Sequence, residues 1–214
     1  MTAHQIETKT HGRYLVDCPE RAGPFPVLVG FHGYAEGAEQ MMQALVRIRG
    51  TRAWLLVSVQ GLNRFYTKAG NIVANWMTRE DRVLAIADNV AYVKSVVTEI
   101  RATHPTVPAL VYAGFSQGVA MAYRAAALAG PCCGGIMLAG DVPPDVAPHL
   151  DSLPPLLIGR GTTDHWYTEA KAAADLALLG AAGVTPAVHV FEGGHVWDES
   201  FVTVAGHFID RLNA

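Results

Sequence analysis

Charged side chains are scarce in this chain: 16% of its 214 residues are Asp, Glu, Lys or Arg, and the 16 basic ones are outnumbered by 19 acidic ones. A surface that binds a phosphate backbone needs a clustered basic excess, so no nucleic-acid partner is expected. The closest grouping, Arg47, Arg49 and Arg52, reads as a helix end at the surface. Cysteine is sparse as well. Cys18, Cys132 and Cys133 lack metal-ligand spacing, and the adjacent pair is poorly placed to close a normal disulfide, so all three read as reduced packing residues. No window approaches the ~18 uninterrupted apolar residues of a membrane span, and residues 1–10 carry no apolar core of signal-peptide length. An unexported, cytoplasmic protein is expected. Repeats, linkers and low-complexity segments are also missing, which leaves one domain over residues 1–214.

What the chain does have is apolar bulk, 50% of its residues, arranged in alternating short and long segments. Continuous apolar runs at residues 27–31, 54–59, 110–113, 135–139, 156–159 and 187–191 read as buried strands. Between them, helical spacing appears at residues 39–49, from Thr78 to Pro105 with the stripe Val83, Ile86, Val90, Val93, Val97 and Ile100, then at 119–128, 166–179 and 196–212. Residues 5–9 and 13–17, split by His11-Gly12, fit an edge hairpin. Strands alternating with helices predict a mostly parallel α/β sheet covered on both faces.

The stretch Ala113-Gly114-Phe115-Ser116-Gln117-Gly118 joins a strand run to a helix run through Gly-x-Ser-x-Gly. The turn is tight, so Gly114 and Gly118 occupy positions where a side chain would clash, and Ser116 is pushed outward. The backbone N–H of Gln117 then lies at a helix N-terminus, aimed where an oxyanion would form. A serine hydroxyl needs a base and an orienting acid. Asp164 follows the run at 156–159, and His195, after Gly193-Gly194, follows the run at 187–191. These are the loop positions, in the order Ser, Asp, His, that an α/β-hydrolase requires. His189 falls within a strand, His165 and His207 at helix positions, and Asp141, after residues 135–139, is the alternative acid.

Together with Phe31-His32-Gly33-Tyr34 and Gly161-Thr162-Thr163-Asp164, the Gly114-Phe115-Ser116-Gln117-Gly118 motif resembles the phospholipase/carboxylesterase family, the small α/β-hydrolases that include acyl-protein thioesterases. The resemblance implies an α/β-hydrolase fold without a large lid and a Ser116-His195-Asp164 triad. It also implies an oxyanion hole from the N–H groups of Gln117 and Tyr34, and no metal or organic cofactor. A small-molecule ester is the expected partner, cleaved through an acyl-enzyme. A thioester or lysophospholipid is the alternative within the family, and a non-catalytic binding protein of the same fold is the alternative outside it. Ala35 stands where the family continues with a second glycine.

Residues 61–77 form a connection longer than the ~2–6 residues usual between strand and helix. Phe65, Tyr66 and Trp76 within it, and Trp166 and Tyr167 later, are aromatic candidates for substrate-binding walls, each serving equally well as core. With no room for a lid, short to medium acyl chains are expected. Because neither disulfide nor metal is inferred, chelators and thiol reductants should leave activity and melting temperature unchanged. Strong inactivation by either would overturn the reading of the cysteines or of the ligand set.

Overall fold

The run Phe25–Phe31 is buried at every position, and a strand with no exposed face must lie inside a sheet covered on both sides. It does. The computed structural model describes residues 1–212. Its seven-stranded sheet has the order β1-β3-β2-β6-β7-β8-β9, built from Arg13–Asp17 (β1), Phe25–Phe31 (β2), Leu55–Gln60 (β3), Thr106–Phe115 (β6), Gly134–Leu138 (β7), Leu156–Gly161 (β8) and Ala187–Phe191 (β9). Only β1 is antiparallel, pairing with β3, while the other five pairings are parallel. Pro26 cannot donate to a ladder, and the β2–β6 register slips between Phe25 and Val27 where it sits.

Helices cover both faces, as expected of an α/β-hydrolase fold without a large lid. Ala38–Arg49 (α1) packs on Glu199–Leu212 (α5), and Arg82–Thr103 (α2) packs on Gln117–Leu128 (α3). The three surface arginines tie this frame together: Arg47 bonds Glu199, Arg49 bonds Asp17, and Arg52 bonds Asp210. Among the described residues no helix is long and apolar enough to cross a membrane.

Several boundaries differ from the sequence reading. Residues 5–9 form no strand, because Ile6 is their only apolar side chain and it stays exposed, so β1 is a lone edge. Thr78 is not a helix cap; α2 starts at Arg82, after Asp81 in the left-handed region at φ 49°. Val83 is exposed, leaving Val90, Val93, Val96 and Ile100 as the buried stripe. The helix expected from residue 166 starts at Glu169 (α4, Glu169–Ala181), capped by Thr168, and α5 starts at Glu199 rather than at 196. A 3₁₀ helix, Pro144–Ser152, was not foreseen. Cys18 is exposed rather than packed, whereas Cys132 and Cys133 lie partly buried against the core, and all three are free.

The long connection at residues 61–77 folds into a small antiparallel hairpin of its own, Asn63–Tyr66 (β4) with Ile72–Asn75 (β5). Where it rejoins the body, Trp76 is fully buried and its indole N–H donates to the His32 carbonyl at 2.8 Å. Its ring also meets Phe31 edge-on, centroids 5.4 Å apart. Trp76 is thus the pin that fastens the hairpin under the loop after β2. Replacing it by Ala should lower unfolding stability by about 3–5 kcal/mol, as for other buried aromatics. A chemical-denaturation curve shifted by less than 1 kcal/mol (~) would contradict this packing role.

Candidate active site

The nucleophile candidate stands at a bend that leaves no room for side chains. A Cβ on Gly118 would lie 2.1 Å from the Phe31 carbonyl oxygen, and one on Gly114 would lie 2.4 Å from the Gly118 oxygen. Ser116 itself takes φ 53°, a strained conformation for a residue with a Cβ, between the end of β6 and the start of α3. The bend is held by the Ser116 N–H, which donates to Leu138 O of β7 at 2.9 Å. Strand, elbow and helix are therefore locked in contact, and the serine side chain is left facing a cavity of ≈ 310 Å³.

His195 lines that same cavity from the loop after β9. Its Nδ1 bonds Asp164 Oδ2 at 2.8 Å, and its ring lies against Phe115, centroids 4.9 Å apart. Nε2 is thereby left for a proton acceptor's work on the cavity side. The Ser116 hydroxyl makes no hydrogen bond to the ring among the described residues; in unliganded hydrolases this contact commonly tightens only with substrate bound. Asp164 is buried in the loop after β8, where its other oxygen accepts the N–H groups of Trp166 at 2.8 Å and Tyr167 at 2.9 Å. Burial alone would raise the Asp164 pKa, but the Tyr167 N–H, the His195 ring and the Trp166 N–H together outweigh it and hold the carboxyl below the usual range.

Asp141, the alternative acid, reaches the cavity wall but pairs with Lys171 Nζ at 3.2 Å instead of with His195. His189 bonds Ser200 Oγ at 2.9 Å, and neither it, His165 nor His207 lines the cavity. His165 sits in a loop, not on a helix, because residues 165–168 wrap around Asp164 before α4 begins.

Beyond β2, His32 is buried, its Nδ1–H donating to Gly33 O at 2.7 Å and its Nε2 accepting the Gly61 N–H at 3.0 Å. Burial lowers its pKa, so the ring is a neutral clamp on the loop. The Gly33 N–H is taken by Glu36 Oε2 at 2.7 Å, and Ala35 N–H by Ala74 O at 3.1 Å, whereas those of Tyr34 and Gln117 have no protein acceptor among the described residues. Ala35 adopts φ 58°, a left-handed conformation that a glycine would take without strain. The loop keeps its shape despite the alanine because it bonds Ala74 at both Ala35 and Glu36.

The pocket aromatics divide. Trp166 and Tyr167 line the cavity, Trp166 largely exposed at its mouth and Tyr167 buried with its hydroxyl donating to Asp175 Oδ2 at 3.0 Å. Phe65, Tyr66 and Trp76 do not line it. The hairpin turns Tyr66 out to solvent, sets Phe65 against Tyr34 with the rings tilted and centroids 5.6 Å apart, and sends Trp76 beneath His32. Sequence reasoning missed the Gln117 side chain, which accepts the Trp76 N–H at 3.0 Å and donates to Met77 O at 3.2 Å, joining the elbow to the hairpin. It also missed Glu36, Arg82, Arg124 and Lys171. A lone Arg inside the apolar run from Met121 to Ala127 was the available signal, since a buried guanidinium must have partners. Among the described residues no group of three or more His, Cys, Asp or Glu is placed to hold a metal ion.

No protein-family model and no curated protein sequence matches the chain. Solved structures do. Esterase PE8 is similar at 19% identity and TM-score 0.75, with 94% of this chain and 99% of that one covered. Acyl-protein thioesterase 2 of Zea mays is similar at 18% identity and TM-score 0.72, covering 95% of this chain and 100% of that one. The Bacillus cereus carboxylesterase gives 16% identity, TM-score 0.71 and 94% coverage of both chains. At such identities the likeness establishes architecture: the chain has the α/β-hydrolase fold that these proteins share.

Proposed function

We propose that the protein is a serine carboxylesterase that cleaves small carboxylic esters through an acyl-enzyme. The observation that carries the reading is the convergence, at the carboxyl ends of three parallel strands, of Ser116, His195 and Asp164, with the Nδ1–Oδ2 bond of 2.8 Å fixing the base. Ser116 Oγ attacks the acyl carbon while His195 Nε2 takes its proton. The oxyanion is received by the free N–H groups of Gln117 and Tyr34. His195 returns the proton to the leaving alkoxide, and water repeats the cycle on the acyl-enzyme. Asp164, kept ionised, favours the tautomer with a proton on Nδ1 and stabilises the imidazolium that forms.

Small substrates are supported by the cavity of ≈ 310 Å³ and by the absence, among the described residues, of a helical insertion above it. Each buried methylene contributes about 0.8 kcal/mol, and selectivity for chain length grows only as far as the walls reach. Acyl chains of roughly C2 to C8 fit the reading, and the rise in kcat/KM should end within that range. A steady rise to C16 esters or palmitoyl thioesters would replace it with the thioesterase alternative.

Ser116→Ala should remain folded and lose about 10⁴–10⁶ of kcat, and a tenth of wild-type turnover surviving would overturn the assignment. Asp164→Asn should cost about 10⁴, far more than Asp141→Asn, whose carboxylate touches only Lys171. The pKa of Asp164 is lowered on folding, so its ionised form adds stability above the ordinary carboxylate range and loses that contribution as pH falls through the depressed value. The melting-temperature gap between wild type and Asp164→Asn should therefore close in acid. Activity should also fall on acidification, and a rate independent of pH from about 5 to 8 contradicts a histidine base.

A further inference from the structure

The cavity beside Ser116 has charged as well as apolar walls. It runs along α3, where Gln117, Ala120 and Arg124 share one face at helical spacing, and its far wall carries Arg82 from the first turn of α2 and Lys171 from α4. Arg124 is completely buried. Its Nε and Nη2 grip Asp145 at 2.7 Å each, while Nη1 meets only the Met77 thioether, 3.8 Å away and a weak acceptor. The guanidinium therefore lies behind the cavity wall rather than in it, and its charge reaches the cavity through a low-polarity surrounding that screens it little.

Arg82 supplies a second cation. It makes no hydrogen bond or ion pair among the described residues, yet it lies close enough to Asp145 to help Arg124 hold that carboxyl below its usual range. Two guanidiniums thus share one carboxylate. The remaining pair, Lys171 with Asp141 at 3.2 Å, cancels itself, so at the end of the cavity away from His195 the two arginines and Asp145 leave one positive charge in excess. Glu80 and Asp81, although close to Arg82 in sequence, border a separate depression with Gln5 and Asp88, and neither forms an ion pair with Arg82 among the described residues.

We propose that the substrate is an ester that also bears a carboxylate, and that Arg82 receives this second anion, with the buried Arg124 adding its charge from behind the wall, while the scissile carbonyl lies at Ser116. The inference rests on the serine-esterase reading and names its substrate class. Ser116 and Arg124 are eight positions apart, about 12 Å along the helix axis, and the arginine side chain leans back toward the helix start, which brings the anion site within the span of a short acid. Arg82 and Arg124 are specificity determinants here; neither touches the reacting atoms.

The test uses matched pairs that differ only in charge. Mono-4-nitrophenyl adipate is compared with methyl 4-nitrophenyl adipate, which places the anion on the acyl side. The acetate ester of 4-hydroxybenzoate is compared with that of methyl 4-hydroxybenzoate, which places it on the alcohol side. In at least one pair wild type should favour the carboxylate member about tenfold in kcat/KM. Arg82→Gln, an exposed position at a helix start, should reduce that ratio at least about fivefold, and Arg82→Glu should invert it. Equal or better turnover of the neutral member in both pairs, or a ratio untouched by Arg82→Gln, overturns the proposal and leaves the esterase standing. Absence of any turnover that Ser116→Ala abolishes overturns both.

Discussion

The constraint on which the rest of the structure depends is steric. At the end of β6 the chain must reverse into α3 while the first turn of that helix touches the end of β2, and the contact is so close that any Cβ at position 118 would overlap the Phe31 carbonyl. This is why Ser116 accepts a left-handed φ and why its side chain has only the cavity to face. The strain is held by β7, through Leu138, and by the packing of three neighbouring strands. The contact also links the elbow to the His32 loop. Gln117 bonds the backbone on both sides of the Trp76 peptide link, Trp76 bonds His32 O, and His32 bonds Gly61, so one chain of contacts sets both expected oxyanion donors.

Opposite the elbow, a second set of contacts positions His195. Asp164 accepts three donors, His195 Nδ1 and the N–H groups of Trp166 and Tyr167, and these keep a buried carboxylate charged where burial alone would favour its protonation. Tyr167 carries the connection further, to Asp175 on α4, which also accepts the Val142 N–H at 3.0 Å. Burial raises the Asp175 pKa, opposite in direction to Asp164. The loops after β7 and β8 are thereby fastened to one helix. Both loops line the cavity, so the same helix holds the wall facing Ser116.

How much of this the sequence disclosed follows from the range of each interaction. The elbow, the order of Ser116, Asp164 and His195, and the parallel sheet were legible, because each is written in neighbouring residues: glycines at a bend, an acid or histidine just past an apolar run. The start of α4 was not, since the Ala-rich run after Glu169 carries no sharp upstream boundary, whereas the backbone at residues 166 and 167 bends to serve Asp164 Oδ1. Trp76 could be either wall or core on sequence alone, for a related reason. An aromatic residue in a long loop looks the same whether it faces a pocket or pins the loop to the core, and only the bond to His32 O decides. The Arg124–Asp145 pair joins α3 to a 3₁₀ helix that has no strong periodic signal, 21 positions away, so neither partner suggested the other.

The central claim is that one strained serine is made nucleophilic by a histidine held through a single buried carboxylate. It is tested most directly by reaction with a fluorophosphonate, followed by intact-mass and peptide mass spectrometry. The account predicts rapid, stoichiometric addition at Ser116 and no other residue. It further predicts that the rate falls by orders of magnitude in His195→Ala and Asp164→Asn while the Asp141→Asn protein reacts like wild type. A wild-type protein that stays unmodified, or one labelled elsewhere at the same rate, would contradict it.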